Sequence, residues 1–121
     1  MERGRDPLKG YWSLPGGLVE TGERLDQAVA REVLEETALR VKPLAVLEIF
    51  ERIMRDGDGR AEYHYVLIDY VCKLTGTQTA RAGDDVSAVQ WVRRADLAKL
   101  KITEGTVEVI LKGFDARRQR S

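Results

Sequence analysis

The sequence predicts one domain that mixes helices with strands, α/β or α+β in construction, and three observations carry that prediction. Residues 24–37 place Leu25, Ala28, Val29 and Val33 at helical spacing with no Gly or Pro among them. Residues 44–53 and 62–74 are dense in Val, Ile, Tyr and Phe, and Asp56-Gly57-Asp58-Gly59 between them has the chemistry of a hairpin turn. The length, 121 residues, suits a single domain that buries roughly two-thirds of its unfolded surface without staples.

The remaining elements follow in order along the chain. Residues 1–10 are polar and carry Gly4, Pro7 and Gly10, which predicts loop. A short apolar patch at 11–14 ends at Pro15-Gly16-Gly17, and Thr21-Gly22 signals the start of the first helix. After the hairpin, short strands are expected at 76–80 and 89–92, on either side of a Gly83-Asp84-Asp85 loop. A short helix at 95–100 and a longer one at 104–114 follow, and Arg117, Arg118 and Arg120 form a basic tail. No repeat, linker or low-complexity block interrupts the chain.

Composition narrows the function. Twenty Lys+Arg balance 20 Asp+Glu, which argues against a nucleic-acid partner, since that would call for a basic excess. One cysteine, Cys72, excludes an internal disulfide framework, and one histidine, His64, excludes a site built on several His ligands. No apolar run reaches the ~18 residues of a membrane span, and residues 1–9 do not read as a signal peptide. A cytoplasmic protein with no membrane partner is the expectation. An anionic small-molecule substrate stays open, because a metal can supply positive charge locally.

The informative segment is the first helix. Glu32, Glu35 and Glu36 are spaced i, i+3, i+4, so they crowd one face and continue the stripe begun by Leu25, Ala28 and Val29. Three carboxylates there repel each other, and they sit at the helix C-terminus, where the macrodipole disfavours negative charge. Arg31 can pair with one carboxylate but cannot neutralise three. A divalent cation bound through oxygen answers the need, and hard Mg2+ or Mn2+ suits such ligands. The competing reading is a solvated acidic face. Gly16-Gly17 just before the helix lets backbone approach a metal or phosphate closely, although a Gly pair alone also serves as a plain turn.

These residues resemble a known family. Gly17, five residues, Glu23, seven residues, Arg31-Glu32-Val33, one residue, Glu35-Glu36, one residue, Ala38-Leu39 is similar to the Nudix box, G-x5-E-x7-R-E-U-x-E-E-x-G-U with U a bulky aliphatic. Tyr11-Trp12-Ser13-Leu14-Pro15-Gly16-Gly17 resembles the family's approach to the box. One fixed position departs: Ala38 stands where the pattern has Gly, at a cost of roughly 1 kcal/mol if the left-handed turn is kept.

The resemblance implies an α/β/α Nudix sandwich with a mixed sheet, shortened at its N-terminus: a single domain over 1–121 that lacks the family's usual first strand or strands. It implies a pyrophosphohydrolase acting on a nucleoside diphosphate linked to another moiety, with ADP-ribose or a related nucleotide-sugar first and a nucleoside triphosphate second. The alternative is a non-catalytic nucleotide-binding sensor module. The implied metal set is Glu32, Glu35, Glu36, the carbonyl of Gly16 and a loop carboxylate, with Asp85 first and Asp84 close behind. The implied catalytic residues are Glu32, Asp85 and Arg31, the last as the partner that holds Glu32, while Glu23 supports the loop–helix turn. Trp12, Gly17 and Tyr63 are candidate substrate contacts, although Trp12 and Tyr63 suit core packing equally well. His64 and Cys72 are expected to be structural. An uncovered sheet edge near Trp12 suggests a homodimer.

Overall fold

A computed structural model describes residues 1–6 and 8–120, with side chains through Ala116. Six elements run in the order β1 (Glu2–Arg3), α1 (Leu25–Thr37), β2 (Val41–Arg55), β3 (Ala61–Leu74), β4 (Val86–Ala88) and α2 (Thr106–Arg120), with a 3-10 turn at Arg94–Lys99 before α2. The α/β class is as the sequence predicts.

Helix α1 starts at Leu25, one residue inside the start expected from the spacing, with Arg24 as its N-cap, whose N–H donates to Gln27 Oε1 at 3.0 Å. It ends at Ala38, which adopts the left-handed conformation (φ 62°, ψ 13°) and donates its N–H to Leu34 O at 2.9 Å. The alanine in the glycine position of the box therefore keeps the glycine's turn. Two more carbonyls at this end are satisfied from far along the chain: Arg81 N–H bonds Thr37 O at 2.8 Å and Gly83 N–H bonds Glu36 O at 2.9 Å.

The hairpin is longer than the apolar runs that predict it. Strands β2 and β3 pair antiparallel from Val41↔Leu74 to Arg55↔Ala61, with register shifts near Pro43, Leu47 and Met54. Pro43 has no N–H to give the ladder, which fits its place beside a shift. At the tip, the Asp56 carboxylate accepts the N–H groups of Asp58 at 2.9 Å and Arg60 at 3.0 Å, an Asx-type closure of the turn. The ribbon's base packs on α1 and α2, with Lys112 of α2 donating to Glu48 at 2.6 Å. Its distal half is open, with Ile49, Ile53, Tyr63, Tyr65 and Val66 exposed and the two tyrosine rings stacked at 6.0 Å.

The buried core is small: Ala28, Leu39, Leu97 and Val109, joined by Thr37, Thr103 and Thr106. The two last threonines satisfy each other, hydroxyl to hydroxyl, at 2.6 Å. Trp12 threads between segments, donating its N–H to Lys101 O at 2.7 Å and accepting from Thr103 N–H at 3.0 Å.

Several sequence-based expectations are corrected. Residues 1–10 are not all loop: Glu2–Arg3 form β1, which pairs antiparallel with β4 through Glu2↔Ala88 and Arg3↔Val86. Residues 76–80 form no strand; Gln78 there bonds the Arg40 backbone through both its amide oxygen and its amide nitrogen, so side-chain bonds replace a ladder. The strand expected at 89–92 lies instead at Val86–Ala88, where β1 supplies a partner. The named strands make two antiparallel pairs, and the bridges Glu2↔Trp12 (antiparallel) and Trp12↔Ile102 (parallel) extend the β1–β4 pair with a parallel component, as the mixed sheet requires. The last helix runs on to Arg120, so the expected basic tail at Arg117, Arg118 and Arg120 is helical in backbone, and its side chains lie outside the described residues. Among the described residues no helix is long and apolar enough to cross a membrane.

Candidate active site

The end of α1, the glycine loop, β1 and the loop before β4 enclose a cleft of about 510 Å3. Helix α1 contributes Glu32, Glu35 and Glu36, and Gly16 comes from the glycine loop. The N-terminal segment contributes Met1, Arg3 and Arg5, the later loop contributes Asp84 and Asp85, and β4 contributes Val86.

Arg31 organises the acidic side. Its Nε donates to Glu23 Oε2 at 2.7 Å and its Nη2 to Glu23 Oε1 at 2.9 Å and to Leu18 O at 3.0 Å. Its Nη1 donates to Glu32 Oε1 at 2.8 Å and to Glu35 Oε2 at 3.3 Å. One planar fork thus ties the glycine loop to three carboxylates, which a lysine's single ammonium could not do. The Arg31 hydrogen bonds, with help from the Glu20 N–H, hold the Glu23 carboxyl down at about 2.

Glu36 is in the reverse position. Its Oε1 accepts the Gly16 N–H at 3.3 Å, while its Oε2 is buried without a hydrogen-bond partner. Burial first, and then the neighbouring Glu32 carboxyl, push Glu36 up to about 7. Gly17 lets Glu32 come this close, since a β-carbon there would overlap the Glu32 carboxylate. The glycine pair is therefore more than a turn.

These residues fit a hard divalent cation by donor chemistry. The set is all oxygen, and it includes a buried carboxylate oxygen, Glu36 Oε2, with no hydrogen-bond partner. As they stand, no three acidic, His or Cys groups among the described residues are gathered tightly enough to hold an ion, because Glu32 and Glu35 are turned to Arg31.

Of the other sequence candidates, Asp85 does line the cleft. It adopts a positive φ of 65° and forms an ion pair with Arg5 at 2.5 Å. Gly16 is beside Glu36 and presents its N–H to that carboxylate, whereas the resemblance assigned its carbonyl. Trp12 and Tyr63 are not among the cleft residues: Trp12 is held by backbone bonds to the 101–103 segment, and Tyr63 stacks on Tyr65 along the open hairpin. His64 bonds Glu51 at 2.5 Å on the exposed ribbon. Arg3 and Arg5 were not anticipated. The alternation Arg3-Gly4-Arg5 was the available signal, but it is too short for a period to be read.

The NUDIX domain family model matches residues 1–112, and the chain belongs to this family. The chain is 35% identical over 114 residues to an ADP-ribose pyrophosphatase of Methanocaldococcus jannaschii, across 94% of this chain and 63% of that protein. It is 30% identical over 111 residues to the nucleoside triphosphatase NudI of an Enterobacter species, across 88% of this chain and 78% of that one. The chain thus spans a little under two-thirds of the archaeal relative. Among solved structures, a MutT NUDIX hydrolase from Burkholderia pseudomallei superposes with a TM-score of 0.75 at 27% identity, over 92% of this chain and 83% of that one. The NUDIX domain of Shewanella oneidensis NrtR complexed with ADP ribose superposes with a TM-score of 0.73 at 26% identity, over 99% and 75% of the two chains.

Proposed function

We propose that this protein is a pyrophosphohydrolase that needs Mg2+ or Mn2+ and cleaves a nucleoside diphosphate linked to another moiety. ADP-ribose or a related nucleotide-sugar is the first candidate, and a nucleoside triphosphate the second. The observation that carries the reading is Glu36, a half-buried carboxylate with one buried, orphaned oxygen, beside Glu32 in the cleft. The likeness to an ADP-ribose pyrophosphatase supports the first substrate class, and the likeness to NudI the second.

Water attacks one phosphorus and the bond to the bridging oxygen breaks, so that a nucleoside monophosphate leaves together with a sugar phosphate from a nucleotide-sugar, or with pyrophosphate from a nucleoside triphosphate. A bound divalent cation supplies neutralisation of the phosphate charge and a lower cost of deprotonating water. Glu32, Glu35 and Glu36 are the residues that would hold it. Arg31 fixes Glu32 and lets Glu35 go, since the Glu35 bond is the longest of its set. Gly16 orients Glu36 through its N–H. Asp85, on a loop at the cleft, takes the proton of the attacking water or adds an oxygen to the cation set. Phosphoryl chemistry asks for such positioning and charge neutralisation rather than a covalent nucleophile.

Hydrolysis of ADP-ribose, nucleoside triphosphates and dinucleoside polyphosphates, screened with Mg2+, Mn2+ and EDTA, tests the reading. Metal-dependent release of monophosphate from one class, lost in Glu36→Gln, is expected. Binding of ADP-ribose without product in any metal would replace this reading with a nucleotide-binding module, which the likeness to the NrtR domain complexed with ADP ribose also suits. A homodimer belongs to the same proposal, since the outer edges of the β2–β3 ribbon are unpaired among the described residues. A single free cysteine suits a reducing, cytoplasmic compartment.

A further inference from the structure

The cleft holds cations of its own, and one of them occupies Asp85. Arg5 is placed by backbone rather than by chance: Arg3 pairs with Val86 in the β1–β4 ladder, and Gly4 donates its N–H to Asp85 O at 2.9 Å. A β-carbon on Gly4 would fall 2.9 Å from that carbonyl oxygen, so the close approach depends on glycine. The next residue, Arg5, then reaches the Asp85 carboxylate with its Nε. The pair is open to solvent, with the Arg5 side chain 77% and the Asp85 side chain 54% exposed. An exposed pair of this kind favours its closed form by only about fivefold or less. A diphosphate offers a guanidinium more charge than a lone carboxylate does and matches its fork equally well.

We propose that Arg5 is the cleft's contact for a substrate phosphate and that the arriving diphosphate displaces Asp85 from it, freeing that carboxylate into the cleft. The inference rests on the diphosphate reading of the site and adds to it a coupling. Asp85 is held by Arg5 until an anion takes its place. Arg5 thereby selects for the phosphate portion of the ligand and not for its base or sugar.

The test is a double-mutant cycle on binding of α,β-methylene-ADP, a diphosphate whose bridging carbon cannot be hydrolysed, followed by calorimetry with Mg2+ present and again in EDTA. Arg5→Ala should weaken binding by about tenfold and Arg5→Lys by less, while the melting temperature stays put. Asp85→Asn should tighten binding by a few-fold, because Arg5 no longer leaves a partner. In the Arg5→Ala background that tightening should vanish. Equal tightening with and without Arg5, Arg5→Ala binding within twofold of the parent protein, or no binding by the parent protein would each overturn the inference. Cleavage is scored separately: a protein that cleaves nothing yet keeps the cycle refutes the hydrolase reading alone, and cleavage without the cycle refutes the exchange alone.

Discussion

Arg31 grips Glu23 with two hydrogen bonds, Nε to Oε2 at 2.7 Å and Nη2 to Oε1 at 2.9 Å, while its remaining nitrogen serves Glu32 at 2.8 Å. The same guanidinium therefore anchors the glycine loop and aims a cleft carboxylate. Arg31→Lys keeps the charge and loses the fork. Metal affinity, read by Mn2+ titration, should fall by about 10- to 100-fold, the usual cost of losing a partner that orients a ligand. An unchanged Mn2+ titration would show that Glu32 needs no such orientation.

Gly17 faces Glu32 with no room for a β-carbon. Gly17→Ala should force the carboxylate or the loop aside, at a cost of about 1–3 kcal/mol in urea unfolding. Because the displaced group is a proposed ligand, the stabilisation gained from Mg2+ should shrink in the same variant. A variant that unfolds and binds Mg2+ like the parent would show that the loop yields freely.

Mg2+ should stabilise the protein against heat. At 100 times its dissociation constant one ion adds about 2.7 kcal/mol, or roughly 10 °C in Tm for a chain of this size. Glu36→Gln should show two opposed effects: a more stable protein in EDTA above pH 7, where Glu36 carries its charge, and little or no gain on adding Mg2+. Differential scanning fluorimetry of both proteins with EDTA and with Mg2+ reads both effects together.

Two carboxyls of the cleft should give metal-free stability opposite pH limbs. Glu36 is raised to about 7, so its folded form holds a proton that the unfolded chain releases near 4.5. Its contribution is whole below 4.5 and fades as pH rises to 7. Glu23 is lowered to about 2, so its contribution is whole above 4.5 and fades as pH falls toward 2. Urea midpoints in EDTA should therefore peak near pH 4–5. Glu36→Gln should flatten the neutral limb and Glu23→Gln the acid limb; a peak near pH 7 in EDTA would contradict the Glu36 assignment, and a flat acid limb the Glu23 assignment.

Ala38 sits at φ 62°, where a β-carbon is strained. Ala38→Gly should stabilise the protein by about 1 kcal/mol, a few degrees in Tm, with cleft chemistry unchanged. A loss of stability on this change would mean that the added freedom of the unfolded chain outweighs the relief.

The parts that sequence made legible are those with a period or a fixed spacing. Helix α1 shows in Leu25, Ala28, Val29 and Val33, the hairpin in its two apolar runs and Asp-Gly turn, and the acidic face in the Glu32, Glu35 and Glu36 spacing. The Arg31 grip on Glu32 is implied by the box. Illegible were features made by tertiary pairing alone. Strand β1 is two residues long, with no alternation to detect, and its partner β4 lies near the other end of the chain. Arg5 follows from that pairing, so it could not be placed on the cleft without it. The 76–80 stretch forms no strand because Gln78 ties it to Arg40 and Thr75 through side-chain bonds, which no spacing in the sequence announces.

The free carbonyls at the end of α1 are bonded by Arg81 and Gly83, and a β-carbon on Gly83 would overlap the Glu35 carbonyl. The segment that finishes the helix is thus also the one that delivers Asp84 and Asp85 to the cleft. This divides the chain between hairpin and cleft into two kinds of territory. Extra residues inserted at Thr79–Ala80, between the Gln78 bonds and the Arg81 cap, would only lengthen an excursion. A single residue inserted between Arg81 and Gly83 would break the helix cap and shift both aspartates out of register together. The spacing from Arg81 to Asp85 is therefore a ruler set by the helix end, and divergence in loop length has room on one side of that ruler only.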